Sequence, residues 1–308
     1  MYLDFDRQYR GKDGVVERIP ADLFYENLSW LDVKEMPDKD KVVIAQPFGS
    51  VEQHGPHGPL DMDSNTVRGT VPQAAYLARK QGTRVLVGSL IPYGYSILHY
   101  DAKDEEDAFP GTIHLTSHTY LSLISDICAG FVRAGFRRIV LITGHGNNIP
   151  LLQVAARDVR HATRALVAVT APYLVAGPEL LKFLEQGFLK HAEEFETSIA
   201  LAVDGESVHK DMLANRTVPV DMASPARGKY FVRDAITHPA STGRVMIAEF
   251  FSEISKGGVI GNPYLASEEK GKQAIELMVE RLAEFFAFFA GIRFGEGAEA
   301  YVASTTGA

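Results

Sequence analysis

The chain has 308 residues, of which 46% are hydrophobic and 23% are charged, a composition typical of a globular protein with a large buried core. Its net charge of -8 and its pI near 5.7 argue against a polyanionic partner such as nucleic acid. The N-terminus lacks the pattern of a signal peptide, and no apolar run approaches the roughly 20 residues of a membrane helix. These features predict a cytoplasmic protein with no membrane partner. The single cysteine, Cys128, excludes an internal disulfide.

Strand-like and helix-like stretches alternate along the chain from residue 41 onward. Residues 1–40 are predicted to form an irregular N-terminal arm with one short helix near residues 21–28. Residues 295–308, rich in Gly, Ala, Ser and Thr, are predicted to form a flexible tail. Short apolar runs predict strands at residues 42–47, 84–90, 138–143 and 165–170. Longer stretches predict helices at residues 64–81, 117–134, 149–161, 178–187, 195–203 and 268–290.

This alternation predicts a single α/β domain over residues 1–308, with a mostly parallel sheet between two layers of helices. Strands that are separated by helices need crossover connections, which make neighbouring strands parallel. Ligands of such sheets bind beyond the carboxyl ends of the strands. Three polar segments directly follow predicted strands, at residues 48–63, 91–99 and 144–148. We therefore expect these segments to meet at one edge of the sheet.

The segment from Gly49 to Asp63 reads G-S-V-E-Q-H-G-P-H-G-P-L-D-M-D and has the composition of a metal site. Imidazole nitrogens and carboxylate oxygens, here from Glu52, His54 and Asp63, suit zinc- or manganese-class ions. The prolines and glycines between them disfavour a helix and favour an irregular loop. A solvated turn is the alternative interpretation. The dense spacing of these ligand types directly after a buried strand favours a metal site.

A second motif, Thr143 to Asn148, follows the predicted strand at residues 138–143 and reads T-G-H-G-N-N. The glycines on both sides of His145 allow the backbone to approach an ion or a substrate closely. A phosphate-binding turn is disfavoured because the motif lacks the glycine spacing and the lysine of a P-loop. No dinucleotide fingerprint occurs in the chain, so nucleotide binding is disfavoured as well.

The pattern E-Q-H-G-P-H-x-P-L-x-x-D resembles the signature of the creatininase (creatinine amidohydrolase) family, and five further motifs follow in the same order. Together they span residues from about 42 to 275. The resemblance implies a creatininase-like fold, a metal-dependent hydrolase and a homo-oligomer, typically a hexamer. The five further motifs are Tyr93–Ser96 with His99, Phe109–Thr112, Thr143–Asn148, His191-Ala192 with Glu196–Ser198, and Gly258–Pro263.

The same resemblance implies two divalent ions, for which zinc, manganese and iron are the candidates. Creatininase itself carries a ligating glutamate two residues after the histidine that corresponds to His145, where this chain has Asn147. A neutral amide is a poor ligand for a divalent ion, so we expect Glu196 to supply the missing carboxylate. Asp63 is expected to bridge the two ions. The expected ligands are Glu52 and His145 for one ion, and His54 and Glu196 for the other.

His191 is surplus to this ligand set and is our candidate for the general acid that protonates the leaving group, with a surface histidine as the alternative. Glu193 stands where the family more often has glycine, which predicts a narrower or more acidic groove and offers a second candidate acid. By resemblance, the substrate-binding residues are expected to be Ser96, His99, Gly111, Thr112 and Asn147.

These features predict a hydrolase that opens a small cyclic amide or cleaves a formamide, acting on a small neutral molecule that contains a carbonyl group. Creatinine itself is disfavoured, because creatininase uses pocket tryptophans near its His-Ala motif and the only tryptophan here is the distant Trp30. Some family members hydrolyse a carbon–carbon bond in an inositol-derived cyclic diketone, of the 3-dehydro-inosose type, which is a second interpretation. A non-catalytic, metal-containing structural protein is a third.

Overall fold

The computed structural model describes residues 7–11, 14–100, 109–220, 248 and 250–293, so the predicted tail at 295–308 lies outside the described residues. The strands are β1 (Gln8–Arg10), β2 (Val16–Arg18), β3 (Val43–Phe48), β4 (Val85–Val87), β5 (Arg138–Thr143) and β6 (Leu166–Thr170). The helices are α1 (Trp30–Glu35), α2 (Met62–Lys80), α3 (Ile97–Tyr100), α4 (Ser117–Arg133), α5 (Asn148–Thr163), α6 (Pro172–Ala176), α7 (Glu194–Asp204), α8 (Lys210–Ala214), α9 (Phe251–Ile254) and α10 (Glu268–Gly291).

The central sheet has four parallel strands in the order β4-β3-β5-β6. All six residues of β3 and all six of β5 are buried, which explains why both read as continuous apolar runs. Their register pairs Val43 with Arg138 and Phe48 with Thr143. The carboxyl ends of the two central strands therefore lie side by side, as expected. A separate antiparallel hairpin pairs β1 with β2.

Helices cover both faces of the sheet, because successive side chains of a strand point to opposite faces. Val43 and Ala45 belong to a core with α2, α6, α7 and α10. Ile44 and Phe48 belong to a second core with α4 and α5. The predicted three-layer α/β/α architecture is thus confirmed. Within the described ranges, no helix is both long and apolar enough to span a membrane.

The structure differs from the prediction in the segment at residues 178–187, where only a 3₁₀ helix, Gly177–Lys182, is present. The backbone N–H groups of Glu185 and Gln186 donate to the carboxylate of Glu194, at 2.9 and 2.8 Å, rather than continuing a helix. A carboxylate that accepts hydrogen bonds from two backbone N–H groups competes well with helical bonds. These bonds fasten the segment to the first turn of α7.

The N-terminal arm also differs, since the predicted helix near residues 21–28 is two 3₁₀ turns, Ala21–Leu23 and Tyr25–Asn27. Phe24 between them is extended, with φ -97° and ψ 124°, and bridges to Val87 of β4. Burial of Phe24 against the sheet therefore takes precedence over local helix propensity. The first long helix begins two residues earlier than predicted, at Met62, which puts Asp63 in its first turn.

Candidate metal centre

The loop that leaves β3 is closed by the hydrogen bond from the Glu52 N–H to the Leu60 carbonyl oxygen, at 2.8 Å. Within this loop, His54 Nδ1 lies 2.9 Å from the carbonyl oxygen of Glu52. A carbonyl oxygen only accepts, so Nδ1 carries the hydrogen in the neutral ring. The other nitrogen, Nε2, then faces Asp63 Oδ1 at 3.6 Å and Glu196 Oε2 at 3.8 Å. When the ring is neutral, as metal binding requires, the loop presents a bare imidazole nitrogen to two carboxylates.

We call Glu52, Asp63 and His145 the first cluster. His145 Nε2 lies 3.2 Å from Glu52 Oε2, and His145 Nδ1 lies 3.1 Å from Asp63 Oδ2. Thr143, at the end of β5, accepts a hydrogen bond from the His145 N–H at 3.0 Å. A β-carbon at Gly144 would overlap the backbone carbonyl of Asp63, so glycine is needed where β5 approaches α2. The first cluster is therefore built where β3, β5 and α2 meet.

We call His54, His191 and Glu196 the second cluster, whose donor atoms lie within 4.8 Å of one another. Glu196 Oε2 accepts a hydrogen bond from the Ala192 N–H at 2.5 Å. His191 exchanges two backbone hydrogen bonds with Ile260, at 3.3 and 2.9 Å. Ala192 has a φ of 54°, a left-handed conformation that is rare for a residue with a β-carbon. The turn at Ala192 lets His191 and Glu196 face the same space.

Burial and neighbouring charges shift the pKa values of these groups strongly. Burial raises the pKa of Glu52 to about 8 and that of Glu196 to about 7. Burial lowers the pKa of His54, but the charge of Asp63 outweighs it and the value rises to about 10. For His145, the charges of Glu52 and Asp63 likewise overcome burial and raise the pKa to about 9. Without metal, the two clusters therefore hold protons at neutral pH that a divalent ion would replace.

Three ligand atoms provide a direct test of whether metal ions fit. Glu52 Oε2, His54 Nε2 and Asp63 Oδ2 are buried and make no well-aligned hydrogen bond, although the His145 nitrogens lie 3.2 Å from Glu52 Oε2 and 3.1 Å from Asp63 Oδ2. Buried polar atoms normally have a hydrogen-bond partner, and an ion is one of the few explanations for exceptions. The donor set of carboxylate oxygens and imidazole nitrogens is the one that zinc and manganese accept. The two clusters, which adjoin at Asp63, therefore fit divalent ions.

A cavity of about 220 Å³ opens onto both clusters. Of the predicted substrate-binding residues, His99 and Asn147 line it, as do the two candidate acids His191 and Glu193. The lining combines polar residues of both clusters with the apolar side chains of Leu98, Phe251, Ile254 and Ile260.

Ser96, Gly111 and Thr112 do not line this cavity. Ser96 is fully buried and its hydroxyl lies 2.6 Å from that of Ser50. Thr112 Oγ1 accepts a hydrogen bond from the Gln53 N–H at 3.0 Å. Gly111, with a φ of +105°, lies against Leu60. The contacts of these residues brace the loop that follows β3, and their role in substrate binding stays a prediction.

His191 is buried among other histidines. Burial, together with the charges of His99 and His54, lowers its pKa well below the usual value. The metal-free protein therefore holds the His191 ring neutral at neutral pH. His191 is 7% exposed, lines the cavity and has its Nδ1 3.8 Å from Glu52 Oε1. This geometry suits either a proton donor or a metal ligand.

Glu193 is fully buried at the start of α7. Its Oε2 accepts hydrogen bonds from the Phe195 N–H at 2.7 Å and from Gln186 Nε2 at 2.6 Å, so it caps the helix. Burial and the nearby charge of Glu196 raise its pKa well above the usual value. Its Oε1 makes no hydrogen bond. Capping is the role that these contacts define.

Sequence reasoning missed three residues of the site. Tyr173 lines the cavity just after the end of β6, so the strand-end rule that located the other segments would have found it. Gln53 lies inside the first motif, between two predicted ligands, and contacts both His99 and His191. The Phe251 ring lies 4.2 Å from the His99 ring and 5.1 Å from the His191 ring. No sequence motif surrounds Phe251.

Known proteins resemble this chain over most of its length. A 3-dehydro-scyllo-inosose hydrolase from Thermotoga maritima is 24% identical over 85% of this chain and 82% of its own length. A creatinine amidohydrolase from Pseudomonas putida is 27% identical over 85% of this chain and 95% of its own length. A mycofactocin precursor peptide peptidase from Mycobacterium ulcerans is 28% identical over 77% of this chain and 81% of its own length.

Solved structures share the fold. A manganese creatininase superposes with a TM-score of 0.67 at 24% identity, covering 88% of this chain and 99% of that one. A creatinine amidohydrolase (creatininase) superposes with a TM-score of 0.63 at 25% identity, with the same coverage. The sequence model of the creatininase family, described as creatinine amidohydrolase, matches residues 26–286. The chain therefore belongs to the creatininase family of hydrolases.

Proposed function

We propose that the chain is a metal-dependent hydrolase that opens a small cyclic amide or cleaves the C–N bond of a formamide. The observation that carries this proposal is the set of three buried ligand atoms without hydrogen bonds, Glu52 Oε2, His54 Nε2 and Asp63 Oδ2, beside one small cavity. In the proposal, Glu52 and His145 would hold one ion, His54 and Glu196 would hold a second, and Asp63 would be shared by both. Two adjacent divalent ions lower the pKa of a shared water and polarise a carbonyl group.

The side chains around the clusters have complementary tasks in this reaction. The carboxylates hold the ions, and the apolar wall formed by Phe251 and Ile260 excludes bulk water from one side of the substrate. Asn147, at the start of α5, offers an amide that can hydrogen-bond a neutral substrate. A cavity of about 220 Å³ admits a compound the size of a small ring. Water attacks the carbonyl carbon, and the C–N bond breaks once the nitrogen is protonated.

His191 is the residue that we propose protonates this nitrogen. It lines the cavity beside Glu52, and because its lowered pKa keeps the ring neutral, it would take the proton that the attacking water releases and pass it to the nitrogen. The alternative is that His191 is a ligand of the second ion, because its donor atom lies within 4.8 Å of those of His54 and Glu196. The two roles make different predictions for metal content.

The His191→Ala variant separates these roles. A proton donor contributes about 10² to 10⁴ in rate, so we expect turnover to fall on this scale while both ions are retained. The loss should be greater for a substrate with a strongly basic leaving group than for one whose leaving group is weakly basic. Loss of one ion from the variant would instead make His191 a ligand. Near-normal turnover on the poorer substrate would remove it from the mechanism.

Creatinine is not the substrate that we propose. Trp30, the only tryptophan of the chain, is 74% exposed on α1 and is not among the residues that line the cavity. The cavity therefore lacks a tryptophan that could stack on the creatinine ring. Its apolar wall is supplied by residues such as Phe251 and Leu98 instead.

A second candidate activity is the hydrolysis of a carbon–carbon bond in a cyclic polyol ketone. It is supported by the similarity to the inosose hydrolase over 85% of this chain. The metal chemistry up to attack on the carbonyl is the same for both activities. A non-catalytic metal protein is not favoured, because His191 lies beside the clusters and the cavity rather than apart from them.

Turnover of the zinc- or manganese-loaded protein with a panel of cyclic amides, formamides and cyclic polyol ketones tests the proposal. We expect hydrolysis of an amide or a formamide, and no turnover after Asp63→Ala. The Asp61→Ala variant is a suitable control, because Asp61 pairs with Arg68 outside both clusters. Turnover of polyol ketones alone would favour the second activity. Inert protein with full metal content would contradict both.

The family resemblance also supports a homo-oligomer, with a hexamer as the expected assembly, and we propose that the protein acts in the cytoplasm. Light scattering of the purified chain tests the assembly. A mass near 33.8 kDa, that of one chain, would contradict it.

A further inference from the structure

The side chain of Gln53 lies between two histidines of the site, and only one orientation of its amide fits. The backbone N–H of Gly55 lies 3.0 Å from Gln53 Oε1. Because a backbone N–H only donates, the amide atom that faces it is the oxygen. The opposite end of the amide is then the NH₂ group, which only donates. The orientation of an amide that is ambiguous in many proteins is fixed here by its neighbour.

The NH₂ group determines which nitrogen of His99 carries hydrogen. Gln53 Nε2 lies 3.1 Å from His99 Nδ1, so Nδ1 accepts and is bare. If both ring nitrogens carried hydrogen, the Nδ1–H and the Gln53 NH₂ group would both be donors at this contact and no acceptor would be present. His99 is therefore neutral, with its hydrogen on Nε2. That nitrogen lies 3.2 Å from Glu52 Oε1. His99 therefore presents an N–H group to Glu52.

This tautomer decides whether a further metal site exists. The donor atoms of Glu52, His99 and His191 lie within 4.8 Å of one another, which is the spacing of a metal site. A metal ion requires an imidazole nitrogen without hydrogen. His99 turns its bare nitrogen toward Gln53 and its N–H toward Glu52. The spacing of Glu52, His99 and His191 therefore resembles that of a metal site, but the hydrogen on His99 Nε2 prevents this nitrogen from binding an ion.

We propose that Gln53 is a positioning residue that fixes His99 with hydrogen on Nε2, so that His99 orients Glu52 and does not bind metal. Glu52 Oε1 then faces the His99 N–H at 3.2 Å, while Oε2, which makes no hydrogen bond, faces His145 Nε2. Partners of this kind around a ligating carboxylate typically change metal affinity 10- to 100-fold. The inference rests on the proposed function only in taking Glu52 as a ligand.

Gln53 also contacts the second histidine. Its amide nitrogen and its backbone oxygen lie 3.0 and 2.9 Å from His191 Nε2. A test of the proposal must therefore report on each ring separately. Histidine-ring ¹⁵N NMR of the zinc-loaded full chain does so, because zinc is diamagnetic and nitrogens with and without hydrogen have well-separated shifts. The His99 signals can be assigned from their absence in His99→Gln.

In the wild-type protein we expect His99 to carry hydrogen on Nε2. The Gln53→Glu variant replaces the NH₂ group by an oxygen that only accepts, so hydrogen should move to Nδ1. The freed Nε2 then completes the group with Glu52 and His191, and the zinc content should rise above that of the wild type. Thr112→Val is the matched control, because it removes the Thr112 hydroxyl that accepts from the Gln53 backbone N–H and leaves the amide in place.

Hydrogen on Nδ1 of wild-type His99, or zinc on its Nε2, would overturn the proposal, and so would an unchanged tautomer in folded Gln53→Glu. If that variant does not fold, Gln53→Met keeps the length of the side chain without its donor. This variant should show both His99 tautomers, and it should bind the ion that Glu52 holds about 10- to 100-fold more weakly. A wild type with the expected tautomer and no turnover would refute the proposed function and support this inference.

Discussion

The two candidate ion clusters differ in how the fold builds them. The first takes Glu52, Asp63 and His145 from the ends of two paired strands and the first turn of α2. The second shares the loop after β3 through His54, but takes His191 and Glu196 from a segment held by a bridge to Ile260. The first is thus a consequence of the sheet register. The second cluster depends on a segment far along the chain that packs against the loop after β3. In this segment Ala192, which has a left-handed backbone conformation, lies between His191 and Glu196.

The first cluster is therefore held by the central sheet, whereas the second is held by contacts outside the sheet. The backbone around the first cluster is fixed by strand pairing that the core already requires. The backbone around the second is fixed by contacts outside the sheet, namely the bridge from His191 to Ile260 and the hydrogen bond from the Ala192 N–H to Glu196. We therefore expect the loss of Asp63, which contacts histidines of both clusters, to affect both ions, and the loss of any other ligand to affect only its own ion.

The largest effect is expected for Asp63→Ala, because Asp63 contacts histidines of both clusters. Both ions should be weakened by more than about 100-fold, beyond the 10- to 100-fold typical of losing an outer hydrogen bond. Metal analysis after dialysis measures this. Asp61→Ala, which removes a pair with Arg68 outside the clusters, should keep both ions. Two tightly bound ions in Asp63→Ala would exclude a bridging role.

A smaller effect, confined to one ion, is expected for Glu196→Gln. The amide oxygen can still accept from the Ala192 N–H, so the turn is preserved while the ligand charge is lost. One ion should be lost and the other kept, measured as metal equivalents per chain. Glu52→Gln is the corresponding variant of the first cluster, and we expect it to lose the ion of that cluster. Full occupancy of both sites in Glu196→Gln would remove this residue from the ligand set.

The smallest effect is expected in the pH dependence of folding stability, which should differ between the metal-free and the metal-loaded protein. The pKa values of Glu52, His54 and His145 are raised to about 8, about 10 and about 9. The folded metal-free chain therefore binds more protons than the unfolded chain between about pH 7 and pH 9, so its stability falls as pH rises through this window.

Metal loading should reverse this trend, because binding displaces those protons and strengthens as pH rises. We expect the release of about three protons per chain when zinc is added at neutral pH, one each from Glu52, His54 and His145. Calorimetry in buffers of different ionisation enthalpy measures the release, and denaturant titrations measure the two stability trends. Metal binding without proton release would show that the clusters are not protonated as described.

Much of the fold and of the first cluster could be predicted from sequence, because both depend on local pattern. Continuous apolar runs mark the buried parallel strands, and polar motifs at their ends must meet at one edge. The predicted start of α2 was wrong by only two residues, and this difference puts Asp63 in the first turn of the helix. The family was recognised from six motifs in order, and the match over residues 26–286 confirms it.

The remaining features depend on contacts between distant residues. The carboxylate of Glu194 captures two N–H groups and ends the predicted helix at residues 178–187. The low pKa of His191 comes from burial and from His99 and His54, which no single motif reveals. Phe251, which packs on His99, lies in no motif at all. Such features follow from packing rather than from periodicity.

The central claim is that the two clusters hold one ion each and that Asp63 serves both ions. Anomalous diffraction from crystals of the zinc-loaded protein tests it most directly. We predict two peaks, about 3.5 to 4 Å apart, as in other two-metal sites. One should lie among Glu52, Asp63 and His145, and the other between His54 and Glu196. A single peak, or a peak among Glu52, His99 and His191, would contradict the account.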